Sequence, residues 1–230
     1  MEAIEQYKPE LEGVLPQDEY FKLVRTDTTI PPRLLKNFSN IPDDVEGDLF
    51  GQIYEYFLGN FALAEGQGGG EFFTPRSVVR LMVEIIEPHG GKIFYPACGS
   101  GGMFVQSSQF IEASQGAKAE SLPDFFVYGQ EKTLETVKLA KMNLAVNNLR
   151  GDIRQAISYY EDHFDSVGNF DYVLANPPFN VDDVNLKRVE NDRRFNTYGV
   201  PQKKSKSSKK DAGNETVPNA NYLWINLFAT

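Results

Sequence analysis

An apolar run, Asp171-Tyr172-Val173-Leu174-Ala175, meets two consecutive prolines almost at once, in Asn176-Pro177-Pro178-Phe179. The run reads as a buried strand. Neither proline has a backbone N–H, and Asn is a poor strand residue, so the strand has to stop at residue 176. Past that point the chain makes a stiff turn carrying an amide, backbone carbonyls and an aromatic ring. In open α/β sheets ligands bind at the carboxyl ends of strands, where this turn would lie. Its chemistry is specific. The Asn176 side-chain oxygen and a carbonyl of the turn can both accept hydrogen bonds from one amino group. That pairing draws the nitrogen lone pair out of conjugation and aims it at an electrophile. Phe179 offers a flat face on which a ring can stack. The plainer alternative is a proline-terminated strand with a capping Asn.

The upstream segments alternate helix and strand. Asp43 or Asp44 can cap a helix with the apolar stripe Leu49, Phe50, Ile53, Tyr54, Phe57, Leu58 and Phe61, ending in the Gly-rich stretch 65–70. Thr74 as N-cap and Pro75 at the first helical position predict a second helix, with Val78, Val79, Met82, Val83 and Ile86 inward. Strands are predicted over 92–95 and 125–129, and helices over 103–113 and 132–148, the last with Leu134, Val137 and Leu144 inward. The stretch after 148 reads as loop until the strand before Asn176. This order predicts a parallel α/β sheet with crossover connections. Residues 1–42 are broken by five prolines and show no complete core. The Lys-rich run 203–210 reads as a mobile basic loop, with phosphate contact as a minority reading, and 219–228 as an ordered apolar segment.

Composition narrows the function classes. A single cysteine, Cys98, excludes an internal disulfide framework and suits a reducing cytoplasm. The two histidines, His89 and His163, lie far apart without neighbouring cysteines, so no metal site is expected. No apolar run approaches the roughly 20 residues that span a bilayer, and the acidic amino terminus is no secretory signal. A net charge of −9 and a pI of about 4.8 argue against a chain that coats nucleic acid by overall charge. They suit one that leans on a partner for most phosphate contacts.

Three further constellations carry chemistry. Gly99, Gly101 and Gly102 follow the first strand, where glycines let backbone approach a ligand, though the spacing is not that of the dinucleotide fingerprint. A ligand-free tight turn is an equal reading. Glu131 follows the second strand, where a carboxylate can accept both hydroxyls of a ribose; alone, it would be read as a helix-start charge. Phe72-Phe73-Thr74-Pro75-Arg76 puts aromatics and a hydroxyl at a helix start, which a cap and hydrophobic staple explain in part.

Together these segments resemble the modification (methylation) subunit of type I restriction–modification systems, a family of adenine-specific DNA methyltransferases. The matching stretches are Gly70 to Arg76, Pro96 to Met103, Tyr128 to Glu131 and Ala175 to Asn180, with similarity continuing through 198–201 and 219–224. The resemblance implies a Rossmann-like α/β fold and the cofactor S-adenosylmethionine. It implies that Glu71, Phe72, Phe73, Thr74, Pro75, Arg76, Ser100, Gly101, Gly102 and Glu131 touch the cofactor. Asn176 and the Pro177 carbonyl would hold the adenine amine, within a turn completed by Pro178, and Phe179 would stack on the extruded base. Implied partners are double-stranded DNA, a specificity subunit and a restriction subunit. Set against the family, the chain shows two departures. Tyr95 stands where the family carries an acidic residue before the Pro of its Gly loop, predicting weakened cofactor binding. The chain is expected to comprise a remnant of a helical domain, 1–44, and a catalytic domain, 45–230, truncated after the fourth strand so that the Asn176 strand is an exposed edge. Competing functions are methylation of RNA adenine or a protein amide, and an inactive subunit that only binds partners or DNA.

Overall fold

Four parallel strands form one sheet in the order β3-β2-β1-β4. They are β1 (Gly91–Tyr95), β2 (Phe125–Glu131), β3 (Gly151–Gln155) and β4 (Tyr172–Val173). This computed structural model describes residues 1–40, 74–115, 125–181, 183–201 and 215–230. The chain divides by contact into two units, Met1–Asn60 and Phe61–Thr230. In the first, short helices α1 (Glu2–Tyr7), α2 (Gln17–Thr26) and α3 (Ile30–Phe38) bury little; among the described residues there, Leu11, Val14 and Pro31 are the enclosed ones. The predicted helix over 43–61, the stretch 65–70 and the basic run 203–210 lie outside the described residues.

In the second unit, the sheet has two unlike faces because strand side chains alternate. Ile93, Tyr95, Phe125, Val127, Ile153 and Leu174 point to one side and form a core with helices α4 (Arg76–Ile86), α5 (Gly102–Gln115) and α6 (Leu134–Val146). Val79, Val83, Phe104, Ile111, Val137 and Leu144 are the helices' contribution. On the other side Phe94 stacks on Phe170, with ring centroids 4.7 Å apart, and Tyr128 meets Phe164 edge-on. The order 3-2-1-4 is the first part of a doubly wound Rossmann-like sheet, and the winding reverses between β1 and β4.

Several expectations need correcting. β3 falls where the sequence predicts loop: GDIRQ holds one apolar residue, Ile153, because an edge strand needs only one inward side chain here. β4 is two residues long rather than five. It pairs with β1 through Ile93–Tyr172 and Phe94–Val173, and one further bond, Leu174 N–H to the Phe94 carbonyl, ends the ladder before the prolines. Among the described residues it is a sheet edge. Val78 and Leu134, expected inward, are 45% and 44% exposed. The α4 N-cap is Pro75, and no side chain caps the helix.

The chain beyond β4 builds a second core. Val184, Leu186, Val189, Phe195, Val217, Leu223, Trp224 and Leu227 close around Tyr159. They come in large part from α7 (Leu186–Val189), a 3-10 turn (Arg193–Phe195) and α8 (Asn221–Ala229), with a single bridge between Asn185 and Thr216 among the described residues.

Candidate active site

The loop after β1 and the turn after β4 face each other at the point where the winding reverses, the usual ligand position in such sheets. A cavity of about 520 Å³ opens between them. Such a volume suits a cofactor-sized ligand, for which clefts run roughly 300–1,000 Å³. Of the residues singled out in the sequence, Thr74, Ser100, Gly102, Glu131 and Asn176 to Phe179 line it. Gly101 and Pro75 do not line it. Glu71, Phe72 and Phe73 lie outside the described residues, as does the Arg76 side chain.

The β1 loop is shaped by close contacts. Gly101 has φ +88°, and a Cβ there would stand 2.6 Å from the Phe104 ring, so only glycine fits without displacement. Gly129 of β2 lets the loop settle on the sheet: a Cβ would reach 2.6 Å from Ile153 and 3.1 Å from the Cys98 sulfur. Glu131 fastens the loop from below. Its carboxylate accepts from the backbone N–H groups of Gly99 at 3.1 Å, Lys132 at 2.7 Å and Thr133 at 3.2 Å. Burial, and the Glu131 charge nearby, push the Cys98 thiol well above its ordinary pKa, so it stays protonated. It packs as a small apolar group, as expected.

Tyr95 sits elsewhere than the family pattern suggests. Its ring is fully buried against Phe104 on the helix side of the sheet, and its hydroxyl pairs with Ser107 of α5 at 2.9 Å. Burial pushes its pKa far up, opposed in part by the Ser107 bond. The phenol is a core group and no part of the cavity wall.

The opposite wall is held from the second core. Trp224 Nε1–H donates to the Pro178 carbonyl at 3.2 Å, and Asn180 N–H donates to Asn221 Oδ1 at 2.9 Å. Each of these bonds runs between α8 and the turn. Asn176 Nδ2 donates to Thr74 Oγ1 at 3.1 Å, joining the turn to the start of α4. Phe179 is 59% exposed. Tyr159, tilted against Trp224 with ring centroids 4.7 Å apart, also lines the cavity. Burial pushes its phenol up to about 12, the neighbouring indole pulling the other way.

A buried polar pin joins the two walls. Gln130 is wholly enclosed; its amide donates to Ser158 Oγ at 2.9 Å and to the Glu161 carbonyl at 3.1 Å, and accepts from His163 N–H. Ser158 Oγ in turn donates to the Pro96 carbonyl. Arg194, 3% exposed, donates to the Ser158 and Glu161 carbonyls and pairs with Asp192 at 2.6 Å. Burial would raise the Asp192 pKa, but hydrogen bonds from Arg194 bring it below the ordinary value. Sequence reasoning missed Gln130, Ser158, Tyr159, Arg194 and the anchoring roles of Asn221 and Trp224. The available signals were the family-like stretches that hold Gln130, Asn221 and Trp224, and an Arg beside an apolar ring in Arg194-Phe195.

The cavity's chemistry fits S-adenosylmethionine. It offers glycine backbone, a carboxylate fixed in direction, and apolar walls from Val79, Met103 and Ile157. Among the described residues there is no cluster of metal-ligating side chains, and no helix is long and apolar enough to cross a membrane.

The family model described as N-6 DNA Methylase matches residues 45–209. The chain is 37% identical over 229 residues to the type I restriction enzyme MjaIX methylase subunit of Methanocaldococcus jannaschii, covering 96% of this chain and 37% of that protein. It is 39% identical over 181 residues to the type I restriction enzyme HindI methylase subunit of Haemophilus influenzae, covering 77% of this chain and 36% of that one. The chain thus spans little more than a third of the length of these relatives. The crystal structure of a type I restriction-modification system methyltransferase subunit from Streptococcus thermophilus shares the fold. Its TM-score is 0.65 at 23% identity, over 84% of this chain and 39% of that one.

Proposed function

The chain belongs to the N-6 DNA methylase family, and from that premise we propose that it methylates the N6 amine of adenine in DNA. S-adenosylmethionine, when bound, supplies a methyl carbon made electrophilic by its sulfonium. The observation that carries the reading is the meeting of the Asn176 turn with the Gly loop and Glu131 around one cavity. Glu131 would accept the ribose hydroxyls, and the backbone of Ser100 and Gly102 would let the cofactor's tail lie close. Asn176 Oδ1 and the Pro177 carbonyl would accept the two N6 hydrogens of an extruded adenine. Those two acceptors would free the nitrogen lone pair from the ring and aim it at the cofactor's methyl carbon, and the N6 proton displaced on methylation would pass to solvent. Extruding a base costs a few kcal/mol, and stacking on Phe179 returns roughly 1–3 kcal/mol. The Trp224 bond to Pro178 would keep that turn from following the base.

The partners belong to the same proposal: double-stranded DNA, a specificity subunit that supplies the target sequence, and a restriction subunit, in a cytoplasmic type I complex. The test uses the chain with its specificity subunit, unmethylated DNA and cofactor labelled in the methyl group. Label is expected in adenine N6. Asn176→Ala is expected to lower turnover by roughly 100-fold or more, by analogy with loss of one transition-state hydrogen bond, without changing cofactor affinity. Label in RNA or protein, or cofactor bound without transfer to DNA, would overturn the reading.

A further inference from the structure

Thr74 sits where a helix cap is expected, yet caps nothing. The helix starts behind Pro75, without a side-chain cap. The Thr74 hydroxyl instead reaches across 102 positions of sequence to the Asn176 amide, at 3.1 Å from Nδ2. Both residues line the cavity. The contact matters because the two ends of a primary amide are alike in shape and opposite in hydrogen-bonding sense. Turned one way, Asn176 presents an acceptor to an incoming amine. Turned by half a revolution, it presents N–H donors to N–H donors, and the amine is repelled.

A hydroxyl by itself does not choose between these states, since it can accept from Nδ2 or donate to Oδ1. The choice depends on where its own hydrogen goes. Among the described residues the hydroxyl has no hydrogen bond besides the one with Asn176, and Thr74 lines the cavity. An acceptor group carried by the cavity's ligand would take that hydrogen. Thr74 then has only a lone pair left for Asn176, which forces Nδ2 toward Thr74 and Oδ1 toward the substrate. We infer that Thr74 is a positioning residue that orients the Asn176 amide in response to an acceptor, such as a carboxylate, on the bound cofactor. The inference rests on the methyltransferase reading for its ligand. It adds that the substrate clamp is set by cofactor binding, so an amine arriving first meets an undecided amide.

Two ligands separate the inference from simple binding. S-adenosylhomocysteine carries the amino-acid carboxylate; methylthioadenosine lacks it. In the whole chain, the Asn176 side-chain amide resonances, assigned by their loss in Asn176→Ala, should shift and sharpen with saturating S-adenosylhomocysteine and not with methylthioadenosine. Thr74→Val should abolish that response at saturation, and Thr74→Ser should restore it. In the assembled complex, Thr74→Val should lower kcat roughly 2- to 12-fold at saturating substrates, the weight of one hydrogen bond, with Thr74→Ser near wild type. In the Asn176→Ala background the same change should add nothing. An amide response that survives in Thr74→Val, or one equal for both ligands, overturns the inference. If the response is as expected but no label enters DNA, the proposed reaction fails and the positioning role stands. If S-adenosylhomocysteine does not bind, both fall.

Discussion

The two walls of the cavity are built on different plans. The wall carrying Gly102 and Glu131 rests on the sheet core, where Ile93, Val127, Phe104 and Val83 fill space between strands and helices. Its parts are near neighbours in sequence, joined by one strand-helix-strand unit. The wall carrying Asn176 to Phe179 hangs from a two-residue edge strand and is held by distant polar bonds. Trp224 lies 46 residues on from Pro178, Asn221 lies 41 on from Asn180, and Thr74 precedes Asn176 by 102. A cofactor wall can be rigid because it meets the same ligand each turnover. A wall that must admit an extruded base is better fastened by bonds that can be made and broken singly.

The largest effect should come from the core beneath the first wall. The family pattern argues that Tyr95→Asp would tighten cofactor binding. The packing argues the reverse. The buried ring packs edge-on against Phe104, and its removal alone costs about 3–5 kcal/mol, before the cost of enclosing a carboxylate in its place. Tyr95→Asp should therefore unfold the sheet core or lower its urea midpoint drastically. Tyr95→Phe should cost only about 1 kcal/mol, the net worth of one hydrogen bond. A folded Tyr95→Asp chain that binds S-adenosylhomocysteine more tightly than wild type would show the family position to govern after all.

Next in size is the pin between the walls. Arg194→Met removes the donors to two backbone carbonyls and strands Asp192, a loss of about 3 kcal/mol for a pair with one partner fully enclosed. Hydrogen exchange should show where it falls. Protection should drop in α8 and the segments around Val184 and Phe195, while β1 and β2 keep theirs. Equal loss in both regions would mean one cooperative unit and would dissolve the contrast between the walls.

That contrast also explains how much of the molecule was legible in the sequence. Period and start signals found α4, α5, α6, β1 and β2, because apolar side chains repeat with the element that buries them. Gly loop, Glu131 and Asn176 turn were found because each sits at a strand end, a position sequence marks by a change of residue type. β3 was lost because one inward isoleucine makes no pattern. Gln130 and Arg194 were lost because a buried polar residue looks like a surface one until its partners are known. Thr74 was seen, and given a local role, because a cap is visible in a handful of neighbouring residues and a bond spanning 102 is not.

The smallest change tests the joint itself. Trp224→Phe keeps an aromatic ring against Tyr159 and deletes the N–H to the Pro178 carbonyl. Pro178 is exposed, so water can replace the indole, and stability should fall by no more than about 1 kcal/mol. The turn, however, loses one of its two ties to α8 and keeps the other, from Asn180 to Asn221. If the second core merely fills space, the variant should turn over like wild type. If it steadies the base-holding turn, kcat should drop several-fold while cofactor affinity is unchanged, because the Gly loop and Glu131 are untouched. A fall in cofactor affinity instead would assign Trp224 to the first wall, through Tyr159, and redraw the boundary between the two.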